Sequence, residues 1–285
     1  MVSVVIPTYN RAHLLSQVLD SFAAQTIDDW ECIVVDDHST DNTFEIVQSY
    51  MNNDNRFKYQ LNVHAKGAQG ARNTGIKNAQ GDWIALFDSD DYAYPNYLEE
   101  LVRKISDDVS VVTSKARLID SMSNQFIRDV DWSAQGMIQK SLLTGDIYIS
   151  FNGCIIRRAE LERIGGLDEK CSSHQEYDTH IRLSENCIYT TTEKILSDYF
   201  INASDTISVD SKKHIEGYLY ILRKHKTLWK KNAYRAYLRR IRSLWFDEHI
   251  YKVDTLKYRL LLLSLSPLAI IYIVKYYLSQ IIKNE

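Results

Sequence analysis

The segment Phe87-Asp88-Ser89-Asp90-Asp91 holds the densest chemistry in the chain. In an extended segment, side chains two apart point the same way, so Asp88 and Asp90 project to one side. Two carboxylates held together repel unless a proton or a cation lies between them. A divalent ion with oxygen ligands would relieve that repulsion, and diphosphate oxygens could complete its coordination. An Asp-rich turn in solvent has the same composition, so the triplet alone leaves metal binding open. Two more acidic stretches stand elsewhere: Asp36-Asp37, and Gln175-Glu176-Tyr177-Asp178 preceded by His174.

Elements must bring these groups together. Val2–Ile6 is a β-branched run that Pro7 is expected to stop, and Cys32–Val35, Phe57–Val63 and Trp83–Phe87 read as further strands. Leu14, Leu15, Val18, Leu19 and Phe22 recur at helical spacing, predicting a helix from about Ala12 to Gln25. Ser39 or Asp41 is placed to cap a second helix, and Ala71–Ala79 reads as a third. Strands alternating with helices predict an α/β fold with a mostly parallel sheet. Ligands of such sheets bind beyond the carboxyl ends of the strands. Asp36-Asp37 and Asp88-Asp90 both follow strand ends, so one rim collects both pairs. Further on, Val109–Thr113 and Cys154–Arg157 are predicted strands, and Glu160–Ile164 and Glu176–Leu183 predicted helices.

The overall charge of −3 hides an asymmetry. Lys212–Arg259 holds 14 Lys+Arg against 4 Asp+Glu, and the first 211 residues carry −14. An acidic body joined to a basic tail suggests two tasks. Cys32, Cys154, Cys171 and Cys187 form no CxxC pair and no zinc spacing, and they read as buried or free thiols. The first residues lack the basic stretch and long apolar run of a signal peptide, which places the body in the cytosol as an expectation.

In the tail, Gly217–Trp245 interleaves Trp, Tyr, Leu and Ile with Lys and Arg at helical spacing, the pattern of an interfacial helix. Leu260–Val274 is an apolar run broken by Pro267, shorter than the roughly 20 residues that span a bilayer. A monotopic anchor on an anionic membrane surface is the preferred reading, a single span the rival, and packing on the body or a second subunit the third possibility. No nucleic-acid-binding module accompanies the charge, so nucleic acid is not expected as a partner.

Taken in order, Val4-Val5-Ile6-Pro7-Thr8-Tyr9-Asn10-Arg11, Ile33-Val34-Val35-Asp36-Asp37-His38-Ser39-Thr40-Asp41, Gly70-Ala71-Arg72-Asn73-Thr74-Gly75 and Phe87-Asp88-Ser89-Asp90-Asp91 closely resemble family 2 of the glycosyltransferases, inverting enzymes of GT-A fold. The resemblance covers roughly residues 2–200. It implies a bacterial surface-polysaccharide enzyme that transfers a sugar from a UDP-sugar to a lipid-linked glycan, at the cytoplasmic face of the inner membrane. Pro7 and Tyr9 match the segment shaping the nucleotide-base pocket. Asp37 matches the carboxylate that accepts from the base N3–H, which favours uracil or thymine. Arg72 matches a basic residue near the diphosphate. Asp88 matches the first aspartate of the motif, lining the donor site, and Asp90 matches the ligand of Mg²⁺ or Mn²⁺.

The family's second acidic motif, usually Glu-Asp ahead of a short helix, stands here as Gln175-Glu176, which puts Glu176 at the position of the base and leaves Asp178 as runner-up. A neutral-range histidine, His174, is a further contender. The expected division is a catalytic domain over 1–211, with a nucleotide-binding half to about 108 and an acceptor half from about 109, followed by a helical tail over 212–285. Two other readings compete. A sugar-phosphate nucleotidylyltransferase would need a glycine-rich opening loop that Ile6-Pro7-Thr8-Tyr9-Asn10 does not supply. A non-catalytic membrane or scaffold protein would keep the pocket without turnover.

Overall fold

A computed structural model describes residues 1–201, 210–247, 250 and 253–283. The chain divides into two compact units. The first comprises Met1–Ile138, Ile147–Glu169 and Thr179–Ala203; the second comprises Gln139–Asp146, Lys170–Asp178 and Ser204–Glu285. The expected join at 211/212 closely follows residues 202–209, which lie outside the described set.

The first unit is an α/β body on a nine-stranded sheet, in the order β3-β2-β1-β4-β8-β6-β9-β5 with β7 paired to β6. Its first half is parallel: β1 (Val2–Thr8) pairs with β2 (Trp30–Asp36) and β4 (Trp83–Leu86), and β2 pairs with β3 (Phe57–Leu61). Every residue of β1 and β2 is buried, the mark of strands covered on both faces. Helices α1 (Ala12–Ala23), α2 (Thr43–Asn53) and α3 (Ala68–Asn78) alternate with these strands. Leu15, Val18, Leu19 and Phe22 of α1 are fully buried at the spacing of one helical face. Helix α3 lies close on the sheet because Gly75 has no Cβ; one added there would meet Val5 Cγ1 at 2.3 Å.

Pro7 does not stop β1, contrary to expectation. It stays in register with Val35 of β2. The ladder to β4 has already ended at Val5–Leu86, so its missing N–H breaks no pair on that side.

The second half of the sheet is mixed. It contains β5 (Tyr92–Ala93), β6 (Val111–Asp120), β7 (Gln125–Asp131), β8 (Cys154–Arg157) and β9 (Tyr189–Ile201). Strand β8 runs antiparallel to both β4 and β6, while β6 and β9 are parallel. Helices α4 (Tyr97–Val102) and α6 (Arg158–Arg163) connect this region, α5 (Gln139–Thr144) belongs to the second unit, and the unit boundary falls within α7 (Gln175–Leu183) after Asp178. All four cysteines are free and buried.

The second unit gathers α8 (Ser211–Lys224), α9 (Lys226–Asn232), α10 (Tyr234–Trp245), α11 (Thr255–Leu265) and α12 (Ala269–Lys283). Asp210 caps α8 by accepting from the amides of Lys212 and Lys213. Leu219, Ile221, Leu222, Trp229, Tyr237, Leu238, Ile241 and Leu244 are buried, so the stripe expected to lie in a lipid interface packs inward instead. The Trp229 indole donates to Leu143 O at 3.0 Å, and the Tyr177 hydroxyl to Leu142 O at 2.9 Å. The apolar run further on is divided by Ser266 and Pro267 into α11 and α12, and no described helix is long and apolar enough to cross a membrane. These two helices leave Leu256, Leu260, Ile270, Ile271, Val274 and Leu278 exposed, and Leu268 between them is exposed as well.

Candidate active site

The strand order β2-β1-β4 sets three loop origins side by side. Asp37 follows β2, Tyr9 follows β1, and Asp88 follows β4 by one residue. Their shared position at the carboxyl ends of parallel strands is what the sheet contributes to the site.

Asp37 is buried and held at both oxygens. Oδ1 accepts from Asn62 Nδ2 at 2.7 Å and Oδ2 from the Gly67 amide at 2.8 Å. Gly67 has φ 121°, a backbone region that side chains disfavour. Asn62 stands just past β3, donates also to Ala65 O, and accepts from the Thr74 hydroxyl. Both oxygens of Asp37 therefore accept from fixed donors. Tyr9 is exposed, with Lys66 Nζ 4.5 Å from its ring centroid.

Asp88, Asp90 and Asp91 each offer an oxygen, all within 4.8 Å of one another. Each has a resident partner. Arg72, buried on α3 with its guanidinium 5.1 Å from the Phe151 ring, donates to Asp88 Oδ1. Arg11 Nη1 lies 2.9 Å from Asp90 Oδ2. Asp91 accepts from Asn152 Nδ2 and, at 2.7 Å, from the Phe200 amide. Asn152, in the short turn ahead of β8, also accepts from the Asp88 amide at 2.8 Å. Burial and the neighbouring Asp88 charge raise the Asp90 carboxyl above its ordinary range, against the opposing pull of Arg11. Burial, then Asp90 and Asp88, push fully buried Asp91 well above that range.

The glycosyl transferase family 2 model matches residues 3–165, which contain every group above except Phe200. The chain belongs to glycosyl transferase family 2. Among curated proteins of this kind, it is 38% identical over 125 residues to the Escherichia coli UDP-Glc:alpha-D-GlcNAc-diphosphoundecaprenol beta-1,3-glucosyltransferase WfgD, a match covering 43% of this chain and 48% of WfgD. The chain thus spans less than half the length of that relative. Staphylococcus aureus TarS, solved with UDP-GlcNAc, superposes with a TM-score of 0.63 at 23% identity, over 77% of this chain and 65% of that one. The mannosyltransferase PcManGT from Pyrobaculum calidifontis, solved with GDP-Man and Mn²⁺, gives a TM-score of 0.63 at 16% identity, over 98% of this chain and 80% of that one. At such identities the resemblance is one of fold, the GT-A fold.

For a family 2 chain, the donor set is compatible with a divalent cation. Three carboxylates supply hard oxygen ligands, and their mutual repulsion is what a cation would relieve.

Glu176 and Asp178 belong to the second unit. Asp178 is buried, with Lys224 Nζ at 2.8 Å and His225 Nε2 at 2.7 Å from Oδ1. Glu176 is partly exposed. His174 is inward-facing against Tyr218, ring centroids 3.8 Å apart, and burial, with His214 and Arg240 nearby, lowers its pKa to about 3. It is neither exposed nor basic enough to serve as a general base near neutrality.

Four contributors went unassigned in the sequence: Arg11, Asp91, Asn152 and Asn62. Asn62 follows a parallel strand just as Asp37 does, so the strand-end rule applied to β3 finds it. The tie of Asn152 to Asp88 and Asp91 depends on β8 pairing antiparallel beside β4.

Proposed function

We propose that the chain is an inverting glycosyltransferase, moving a sugar from a metal-bound UDP-sugar to a hydroxyl of a lipid-linked glycan in polysaccharide assembly. The observation that carries this reading is the meeting of Asp88, Asp90 and Asp91 with Arg11 and Arg72, inside the family-matched segment. The lipid-linked acceptor follows by analogy with WfgD, whose name specifies a diphosphoundecaprenol acceptor and UDP-Glc.

In this reading Pro7 and Tyr9 shape the base pocket, with the Tyr9 ring against the base. Asp37 accepts from N3–H, a hydrogen that uracil has and cytosine lacks. Asn62 and Gly67 hold that carboxylate in place. Arg72 faces the diphosphate, Asp88 lines the donor site, and Asp90 holds Mn²⁺ or Mg²⁺. The cation neutralises charge on the departing diphosphate. Glu176 removes the proton from the acceptor hydroxyl as the new bond forms. Asp178 is committed to Lys224 and His225, which leaves Glu176 as the better base.

The functional division is a catalytic domain over 1–211 and a helical extension over 212–285. We assign the extension to an anionic membrane surface at the cytoplasmic face. The exposed apolar side chains of α11 and α12 favour this, because neither helix carries an acidic residue while Lys257, Arg259 and Lys275 supply cations.

Thermal-shift titration with UDP, CDP and GDP in the presence of Mn²⁺ tests the donor assignment, since stabilisation follows affinity. UDP is expected to raise the melting temperature and CDP to leave it unchanged. Equal stabilisation by CDP would remove the role given to Asp37.

A further inference from the structure

The guanidinium of Arg11 occupies the carboxylate assigned to the metal. Arg11 ends the loop after β1, while Asp90 comes from the loop after β4, and the pair is closed at 2.9 Å. Both side chains are largely shielded, at 21% and 17% exposure, so the pair is not weakened by full solvation. The two arginines of the cluster differ in burial. Arg72 is 4% exposed and lies over the Phe151 ring, so it is anchored beside Asp88. Arg11 is the less buried of the two. Asn10, just before it, has φ 51°, an unusual region for a side-chain-bearing residue.

We infer that Arg11 and the divalent cation exchange places on Asp90, and that the released guanidinium then compensates the donor's diphosphate. The inference rests on Asp90 being a metal ligand. Charge accounting supports an exchange over simultaneous occupation. Three carboxylates already face two guanidiniums, and a divalent ion added without movement would set Arg11 against the metal at one oxygen. When a nucleoside diphosphate enters, the site gains negative charge, and a guanidinium freed from Asp90 finds a new anionic partner. Metal alone must therefore break an ion pair to bind, whereas metal with nucleotide re-forms one. The consequence is positive coupling: each ligand tightens the other by the same factor.

The test measures Mn²⁺ binding to the full chain by electron paramagnetic resonance of free Mn²⁺, with and without UDP. In Arg11→Met, Mn²⁺ alone is expected to bind about tenfold more tightly, the scale of one partly buried ion pair, and the coupling with UDP to shrink towards one. Arg11→Lys retains the charge and is expected to keep most of the coupling, and it also serves if the Met variant fails to fold. Unchanged or weaker Mn²⁺ binding in Arg11→Met overturns the exchange, as does undiminished coupling in a folded Met variant, or full loss of coupling in a folded Lys variant. Asp90→Asn separates the underlying assignment. If that variant binds Mn²⁺ as the parent does, the metal reading has failed, independently of Arg11.

Discussion

Asp178 Oδ1 and His225 Nε2 lie 2.7 Å apart inside the helical unit, with Lys224 Nζ on the same carboxylate. A sequence reading puts Glu176 at the position of the base and leaves Asp178 as runner-up. The geometry supports that order, because the buried Asp178 carboxylate is committed to Lys224 and His225 at hydrogen-bonding distance.

Exchange of each acid should therefore have different effects. Asp178→Ala leaves Lys224 and His225 without their partner and is expected to lower stability by about 3 kcal/mol, read by chemical denaturation. Glu176→Gln is expected to leave the melting temperature and UDP affinity unchanged while cutting transfer by about 100-fold or more. Full transfer by Glu176→Gln would reassign the base.

Asp90→Asn removes one charge from the metal set. Transfer in saturating UDP-sugar and Mn²⁺ is expected to fall by about 100-fold or more, with base recognition preserved. Titration of UDP without metal should give at least the parent affinity, and a large loss there would mean that Asp90 acts through the fold instead.

Asn62→Ala takes away a donor that fixes Asp37 and acts on the Asp37 carboxylate indirectly. UDP affinity is expected to fall by about tenfold, the low end for one hydrogen bond to a charged group. The turnover number at saturation should stay near the parent value. A fall in turnover with unchanged UDP affinity would contradict the positioning role.

Two inward-packed histidines, buried His180 and part-buried His174, give the protein an acid-side weakness. Burial alone lowers His180 to about 3, while burial with His214 and Arg240 lowers His174 to about 3. Both are neutral in the folded chain at pH values where the unfolded chain protonates them. Their contribution is complete above about pH 6.5 and declines as pH falls towards 3, by up to about 1.4 kcal/mol per pH unit for each. Denaturation midpoints between pH 7 and 5 check this. His180→Gln should flatten the slope, and an unchanged slope would mean that other groups carry it.

Vesicle flotation tests the membrane assignment. Leu260→Glu with Ile271→Glu is expected to abolish binding to vesicles containing anionic lipid, with the melting temperature retained because both side chains are exposed. Retained flotation would exclude these faces. Removing the whole extension is a poorer test, since Trp229 covers Leu143 and its loss would uncover a core.

The β1–β4 half of the sheet was legible in the sequence because its strands are short apolar runs and its helices have one apolar face. The mixed half was less so. Strand β9, Tyr189–Ile201, opens with Tyr189, three threonines and Glu193-Lys194, and its partners β6 and β5 lie far away in sequence. Pairing over such separations leaves little local signal. The tail was read correctly as helical, but the same stripe of Trp, Tyr and Leu suits a lipid interface and a protein core equally.

The amino-acid sequence on its own determined the α/β order, the carboxylates and arginines available, and the family, since these depend on local periodicity and residue type. Tertiary structure decided which charges are partners. Arg11 meets Asp90, Arg72 meets Asp88, Asn152 ties Asp91, and Lys224 and His225 claim Asp178. Such pairings are set by where the ends of distant elements meet in space and by the low dielectric of a buried cluster, and neither is encoded by spacing along the chain.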